Sequence, residues 1–488
     1  MVTLQRKLNT FDVTSLVVGS IIGADIYVAA AIGAKLVGPA SLVVWLVAGI
    51  IAIVIALSFA YCATVQPRVG GPYAYTREVG SPLIGFTVGW SLLLAEWFSL
   101  AVFPVAFAQY ASSLFALSGQ LEETVLKAVF VLLVLITNVV GIKAAGRFND
   151  VLTIIKLLPL LMLIIAGFVF MAFSTGVVSG NLHPFSTGTI GGFGQALVLI
   201  FWAYAGFELS TLPADEIEAP RRTIPKAIVS GMAIVAAFYL LTNFVIIGTV
   251  DESTLATSSS PLMDSASEIF SSSDVLSGIA PIIIGVGALI SILGADESGT
   301  IGTSRLAYAL SVDGLLPSSL SKTRSKRGVP YVAVIALCAT AFVASILGSL
   351  VQLINASVFL LAFVYLATCA SAIQFRRREP RGGRLGLVIP VFGLLFSFIL
   401  MALVDLNQIL ISLGLMLVGL PIYWFFAPKQ ELHDLRKAFL SREAILARAY
   451  EQGERFLAYP WRRLLWIMYN RSNRKKAWVI EHEPGKSK

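Results

Sequence analysis

Apolar residues run along this chain in long blocks separated by short polar stretches, almost from end to end. Twelve blocks reach about 20 residues, the length an α-helix needs to cross a bilayer core of roughly 30 Å. They cover roughly 13–37, 41–66, 83–117, 124–142, 150–174, 193–214, 227–250, 276–312, 330–350, 353–376, 386–404 and 408–427. The pattern predicts an all-α polytopic membrane protein of about twelve transmembrane helices.

The connecting segments carry the orientation. One set holds Arg68 and Arg77; Lys143 and Arg147; Arg221, Arg222 and Lys226; Lys322, Arg324, Lys326 and Arg327; and Arg376, Arg377, Arg378, Arg381 and Arg384. The alternate segments are nearly free of Lys and Arg, and the longest, 251–274, is Ser-rich and acidic. By the positive-inside rule the basic set faces the cytoplasm together with both termini. That side of a cell membrane is therefore the expected place of residues 1–12 and of the tail 428–488.

Two blocks are interrupted. The first reads "SIIGADIY" at its middle, with Gly23, Ala24 and Asp25 breaking an otherwise apolar run; the sixth reads "FWAYAGFELS", broken near Ala203–Gly206. The two lie five spans apart and so cross in opposite directions. Gly-interrupted spans at matching places in two halves point to an inverted repeat around a mid-membrane site. The halves are 13–174 and 193–376, with 386–427 as two further spans. Unwinding a helix frees backbone N–H and C=O groups, which lipid does not satisfy. The half-helix N-terminus then attracts a carboxylate, and freed carbonyls attract an ammonium or a cation. Facing breaks suit both ends of a zwitterion and need no catalytic side chain.

Composition sharpens this picture. The chain has 488 residues, 57% hydrophobic and 13% charged, which leaves no room for a large soluble domain. Its mean hydropathy is +0.83. Arg6 and Lys7 precede an apolar run too long for a cleavable signal. Cys62, Cys338 and Cys369 lie in apolar blocks without metal or disulfide spacing. From Lys429 onward 14 Lys/Arg face 7 Asp/Glu, about +7 of the net +8. A basic tail of that kind favours an anionic lipid surface over nucleic acid. No Ser/His/Asp or Cys/His constellation, phosphate loop or metal cluster is visible, so an enzyme is not expected.

"VGSIIGADIY" resembles the first-span motif of the amino acid–polyamine–organocation transporters. "FWAYAGFE" with "EAPRRTIPKAI" resembles their sixth span and the loop after it. "PRVGGPYAYTREVGSPLIGFTVGW" is similar to their second loop and third span, and "SRLAYALSVDGLLP" to the end of their eighth span. These stretches fall in family order over about 9–320. The resemblance implies a leucine-transporter-like core of five plus five inverted spans, two further spans and alternating access. It places Ile22, Gly23, Ala24 and Asp25 at a backbone site for the substrate carboxylate. Ala203, Tyr204 and Ala205 would turn carbonyls toward its amino group. Trp202 falls where an aromatic closes over the substrate, and Glu208 where an acid follows the break and takes part in gating.

Asp25 departs from the family pattern, which has glycine there. Ionised, it would repel a substrate carboxylate, so three readings stay open: a neutral acid that carries a transported proton, an ion paired with a cation, or a direct ligand for an ammonium. Lys156, in "TIIKLLPLL", matches the setting of a fifth-span lysine that replaces sodium in proton-coupled relatives. The eighth span adds Asp296 and Glu297, adjacent positions about 100° apart on a helix, of which one is expected to face the cavity. Lys156, Asp25 and one of these acids are read as a proton-coupling cluster. A proton is favoured over sodium, and no other cofactor is expected. Glu96, in "LLAEWFSL", is a further membrane acid.

The expected function is secondary transport of amino acids. Alternatives are polyamine or organic-cation transport, amino acid exchange, and a non-transporting sensor that signals through the tail. The last two spans mediate dimers in some relatives, so a homodimer is possible.

Overall fold

The computed structural model describes residues 8–68, 70–140, 146–212, 217–323, 329–378, 385–429 and 431. All twelve apolar blocks are helical there. The first is α1 (Thr10–Ile21) plus α2 (Ala24–Val37), and the second is α3 (Ser41–Val65). After α4 (Pro72–Val79) come α5 (Pro82–Phe115), α6 (Gln120–Val140) and α7 (Gly146–Phe173), then the short α8 (Thr175–Asn181). The sixth block is α9 (Ile190–Phe201) followed by the 3-10 segments Trp202–Tyr204 and Phe207–Thr211. The second half continues with α10 (Pro220–Thr249), α11 (Glu252–Thr257), α12 (Pro261–Ile269), α13 (Asp274–Val312), α14 (Tyr331–Leu347) and α15 (Leu350–Arg378). It closes with α16 (Leu385–Leu403) and α17 (Leu406–Phe426). Residues 141–142 and 213–214 of the fourth and sixth predicted spans lie outside the described residues. So do Lys143, Arg324, Lys326, Arg327, Arg381, Arg384 and nearly all of the tail.

Local chemistry sets the helix ends. Asn9 accepts from the backbone N–H groups of Phe11 and Asp12, while the Asp12 carboxylate takes the N–H of Asn9, a reciprocal capping box. Ser81 caps α5 ahead of Pro82, whose missing N–H costs nothing at a first helical position. Nine helical stretches among the described residues are long and apolar enough to cross a membrane, α2 and α3 counting as one. α1 and α14 are shorter apolar helices.

The sequence reading needs two corrections. Segment 251–274, taken as a loop, holds α11 and α12, because Asp251 caps the first and Pro261 opens the second. The first break covers only Ile22 and Gly23, so Ala24 and Asp25 belong to the first turn of α2. An acid there complements the partial positive charge of the helix N-terminus.

Long helices pack around the interrupted ones. Two aromatic groups fill the interior. Tyr204 and Tyr239 meet Trp45 edge-on, with ring centroids 6.0 and 5.4 Å away. Phe59, Phe207 and Tyr365 form the second group at 5.3–5.5 Å. α16 and α17 turn Phe398, Leu406, Leu410, Leu417 and Phe425 outward, as a lipid-facing surface requires. Among the described residues there is no strand. One bridge joins Leu8 to Ile217, with Glu218 N donating to Leu8 O at 2.9 Å.

Candidate functional site

The two interruptions meet in the interior. α1 ends at Ile21, which leaves its last carbonyls without helical partners. Three of the carbonyls at this break are taken by side chains from three other helices. Lys156 Nζ of α7 donates to Gly19 O at 2.9 Å, the Tyr239 hydroxyl of α10 to Ile21 O at 3.0 Å, and Ser291 Oγ of α13 to Ile22 O at 3.3 Å. Gly23 is required by closeness: a Cβ there would overlap Ala295 of α13 and stand 3.0 Å from the Phe103 ring of α5.

The sixth-span break sits at Ala205 and Gly206. Ala205 is extended and Gly206 has φ of 117°, a left-handed conformation that glycine adopts without strain. Ser20 Oγ, in the last turn of α1, donates to Gly206 O at 3.1 Å and ties the two breaks together. The Gly206 N–H donates to Glu208 Oε1 at 3.0 Å, so Glu208 holds the shape of its own break.

Between the breaks lies a cavity of about 20 Å³, room for about one water molecule. Ser20 and Asp25 line it from the first span, and Glu96, Ser99, Leu100 and Phe103 from α5. The sixth span adds Trp202, Ala205, Gly206, Glu208 and Leu209; α13 adds Ala295 and Gly299; α15 adds Leu361. Of the residues singled out from sequence, Asp25, Trp202, Ala205 and Glu208 are thus on its wall. Trp202 is 1% exposed, so it does not face lipid. Its Nε1 donates to Ser99 Oγ at 2.8 Å, and its ring lies 6.2 Å from that of Phe103.

Other expected residues lie behind the wall. Ile22, Gly23 and Ala24 are buried in the break and the first helical turn after it, and Ala203 in the 3-10 turn. Tyr204 turns its hydroxyl to Trp45 O at 3.0 Å, away from the cavity. Asp25 is 4% exposed, with its carboxyl beside the N–H groups of Gly23 and Asp25 and the Tyr239 hydroxyl. Lys156 is 1% exposed, with its ammonium held in the interior on Gly19 O. Its charged neighbours are Glu297 and Asp25, yet neither is within ion-pair reach.

The two acids of α13 separate as their angular spacing requires. Half-buried Glu297 lies close enough to Lys156 to feel its charge. Asp296 instead faces a second small cavity between α5, α6, α13 and α14, among Leu100, Pro104, Val134, Leu337 and Cys338. Sequence reasoning missed Ser20, Ser99, Phe103, Tyr239 and Ser291. A serine or tyrosine in an apolar span is common, and its partner carbonyl is set by packing. Glu96 was visible as a membrane acid without a place.

Comparison with known proteins agrees with this architecture. The family profile described as amino acid permease matches residues 8–427. The branched-chain amino acid permease BcaP of Bacillus subtilis (strain 168) is 28% identical, over 88% of this chain and 94% of its own length. The cystine/glutamate transporter of Homo sapiens is 30% identical over 87% of this chain and 86% of its own. The large neutral amino acids transporter small subunit 2 of Mus musculus is 28% identical over 88% and 83%. With that match and two facing breaks around a buried cavity, the chain belongs to the amino acid permease family of the APC superfamily.

Proposed function

We propose that this multi-pass membrane protein transports amino acids across the cell membrane by alternating access, coupled to protons. The observation that carries the reading is the pair of broken spans, joined by Ser20 Oγ and Gly206 O, with Lys156 seated on the Gly19 carbonyl at the first break. Such a break takes backbone groups out of helical pairing, the arrangement by which broken spans hold the charged ends of a substrate. The cavity is too small for such a ligand as it stands. Entry therefore requires the half-helices to move, which glycine at both breaks permits. A lysine ammonium beside the break supplies the charge that a sodium ion would otherwise bring, and its charged neighbours Asp25 and Glu297 offer proton acceptors. Both termini are read as cytoplasmic, and the basic tail as a contact for anionic lipids. Pairing of two chains through the last two spans belongs to the same reading.

The test is uptake of labelled amino acids into proteoliposomes in sodium-free buffer, with and without an inward proton gradient. The reading expects gradient-stimulated, saturable uptake. Uptake that depends on sodium or on internal substrate, with no response to the gradient, rejects proton coupling. A chain that moves no amino acid under any gradient rejects transport.

A further inference from the structure

α5 carries Pro104 in its interior. Proline has no N–H, so the carbonyl of Leu100, one turn earlier, loses its helical donor. Leu100 and Pro104 form the α5 wall of the second cavity, about 10 Å³ in volume, which Asp296 faces. Thr300 lines the same space; four residues after Asp296, it lies on the same face of α13. α6 and α14 close the cavity with apolar side chains and the Cys338 thiol. A carboxyl, a hydroxyl and the proline-broken turn of α5 thus border one small space. Asp296 is 4% exposed, and its Oδ1 has no hydrogen-bond partner among the described residues. Its charged neighbour is Glu297, a like charge, and no Lys, Arg or His is among the described residues that line the cavity. The other buried acids differ: Asp25 has backbone N–H groups and the Tyr239 hydroxyl beside it, and Glu208 has the Gly206 N–H, the Tyr365 hydroxyl and Glu96.

We propose that this cavity is the site of one buried water molecule, which donates to Asp296 Oδ1 and to the Leu100 carbonyl and accepts from the Thr300 hydroxyl. The volume suits a single water, and a buried water makes about three hydrogen bonds. Two donated hydrogens and an accepting lone pair match the two acceptors and the hydroxyl on the wall. Hard cations collect about six oxygens, more than this wall offers, and an alcohol or amine exceeds the space. The bridge ties α13 to α5 at the turn that Pro104 opens. Leu100 also lines the cavity between the two breaks, so the water braces that cavity's wall from behind.

The experiment is a structure of the full-length protein at a resolution that shows ordered water, joined to unfolding midpoints of variants in detergent. The expected result is one density peak within hydrogen-bond distance of Asp296, Thr300 and Leu100 O. The peak should keep its strength when rubidium, a stronger scatterer, replaces sodium in the buffer. No peak, or an Asp296 carboxyl turned to bond Leu100 O directly, overturns the site. A peak that strengthens with rubidium assigns the cavity to a cation and overturns the water. Asp296→Leu fills the space, expels the water and leaves the Leu100 carbonyl without a donor, so its midpoint should fall by a few degrees. In a dry cavity the same change removes an unpaired buried carboxyl and raises the midpoint; an unchanged or raised midpoint overturns the proposal. If Asp296→Leu does not fold, Thr300→Val decides. It keeps the side-chain volume, removes the hydroxyl alone and is expected to lower the midpoint and weaken the peak. An unmoved midpoint with an unmoved peak overturns the bridge.

Discussion

Lys156 Nζ lies 2.9 Å from the carbonyl oxygen of Gly19, so the fifth span holds the first at the turn where its helix ends. Thr153, one turn earlier on α7, makes a parallel contact from its Oγ1 to Ser15 O at 3.2 Å. The two bonds fasten α7 to successive turns of α1. They make the lysine a structural donor seated at the break.

Lys156→Ala removes that donor and leaves the Gly19 carbonyl facing an apolar gap. A net loss of about 1–3 kcal/mol in stability is expected, read as a lowered unfolding midpoint in detergent. Substrate binding should persist, while stimulation of uptake by a proton gradient should vanish. Full stimulation in this variant would remove Lys156 from the coupling mechanism.

Gly206→Ala forces a side chain onto a backbone with φ of 117° and puts its Cβ 3.1 Å from Ser20 O. Strain of this kind costs about 1–3 kcal/mol. It also presses on the contact between the breaks. The expected outcome is a folded, membrane-inserted protein with sharply reduced maximal uptake. Kinetics indistinguishable from the parent would mean that the left-handed turn is not needed for the transport cycle.

Trp202→Phe keeps an aromatic ring on the cavity wall but deletes the Nε1 donor to Ser99. The prediction is a several-fold rise in KM with maximal rate little changed, measured by concentration-dependent uptake. Trp202→Ala empties a fully buried site, at a cost of about 3–5 kcal/mol, and should lower the unfolding midpoint as well. A lower midpoint without a change in KM would assign Trp202 to packing alone.

Outside the membrane spans, Asp251 caps α11. The Ser253 hydroxyl and the Thr254 side chain and amide hold its carboxyl at about 2, below the ordinary 3.8. A depressed carboxylate supports the fold above its unfolded value and loses that support as pH falls. Protection of amides 252–257 should therefore hold down to about pH 4 and decline as pH falls toward 2. Asp251→Ala should reduce that protection at neutral pH, a missing cap costing about 1 kcal/mol. Hydrogen exchange read as protection factors checks both. Unchanged protection in the variant would show that tertiary packing, not the cap, maintains α11.

The amino-acid sequence by itself determined the spans, because a bilayer demands about 20 apolar residues per crossing whatever surrounds them. It also determined that the first and sixth spans are interrupted, since Gly23 and Gly206 stand where a continuous helix would want a side chain. The width of the first break was not legible. Whether Ala24 and Asp25 join α2 depends on the neighbours that hold the carbonyls of Gly19, Ile21 and Ile22, and those come from positions 156, 239 and 291. The fate of the membrane acids was equally hidden. Asp296 and Glu297 are adjacent in the chain, yet one faces a separate cavity and the other lies within the influence of the Lys156 charge. Glu96 and Glu208 are 112 residues apart and share one cavity. Hydrophobic periodicity reports which residues avoid water, a property of each segment alone. Which buried charge meets which is decided by the packing of helices distant in sequence, and only the tertiary structure carries that information.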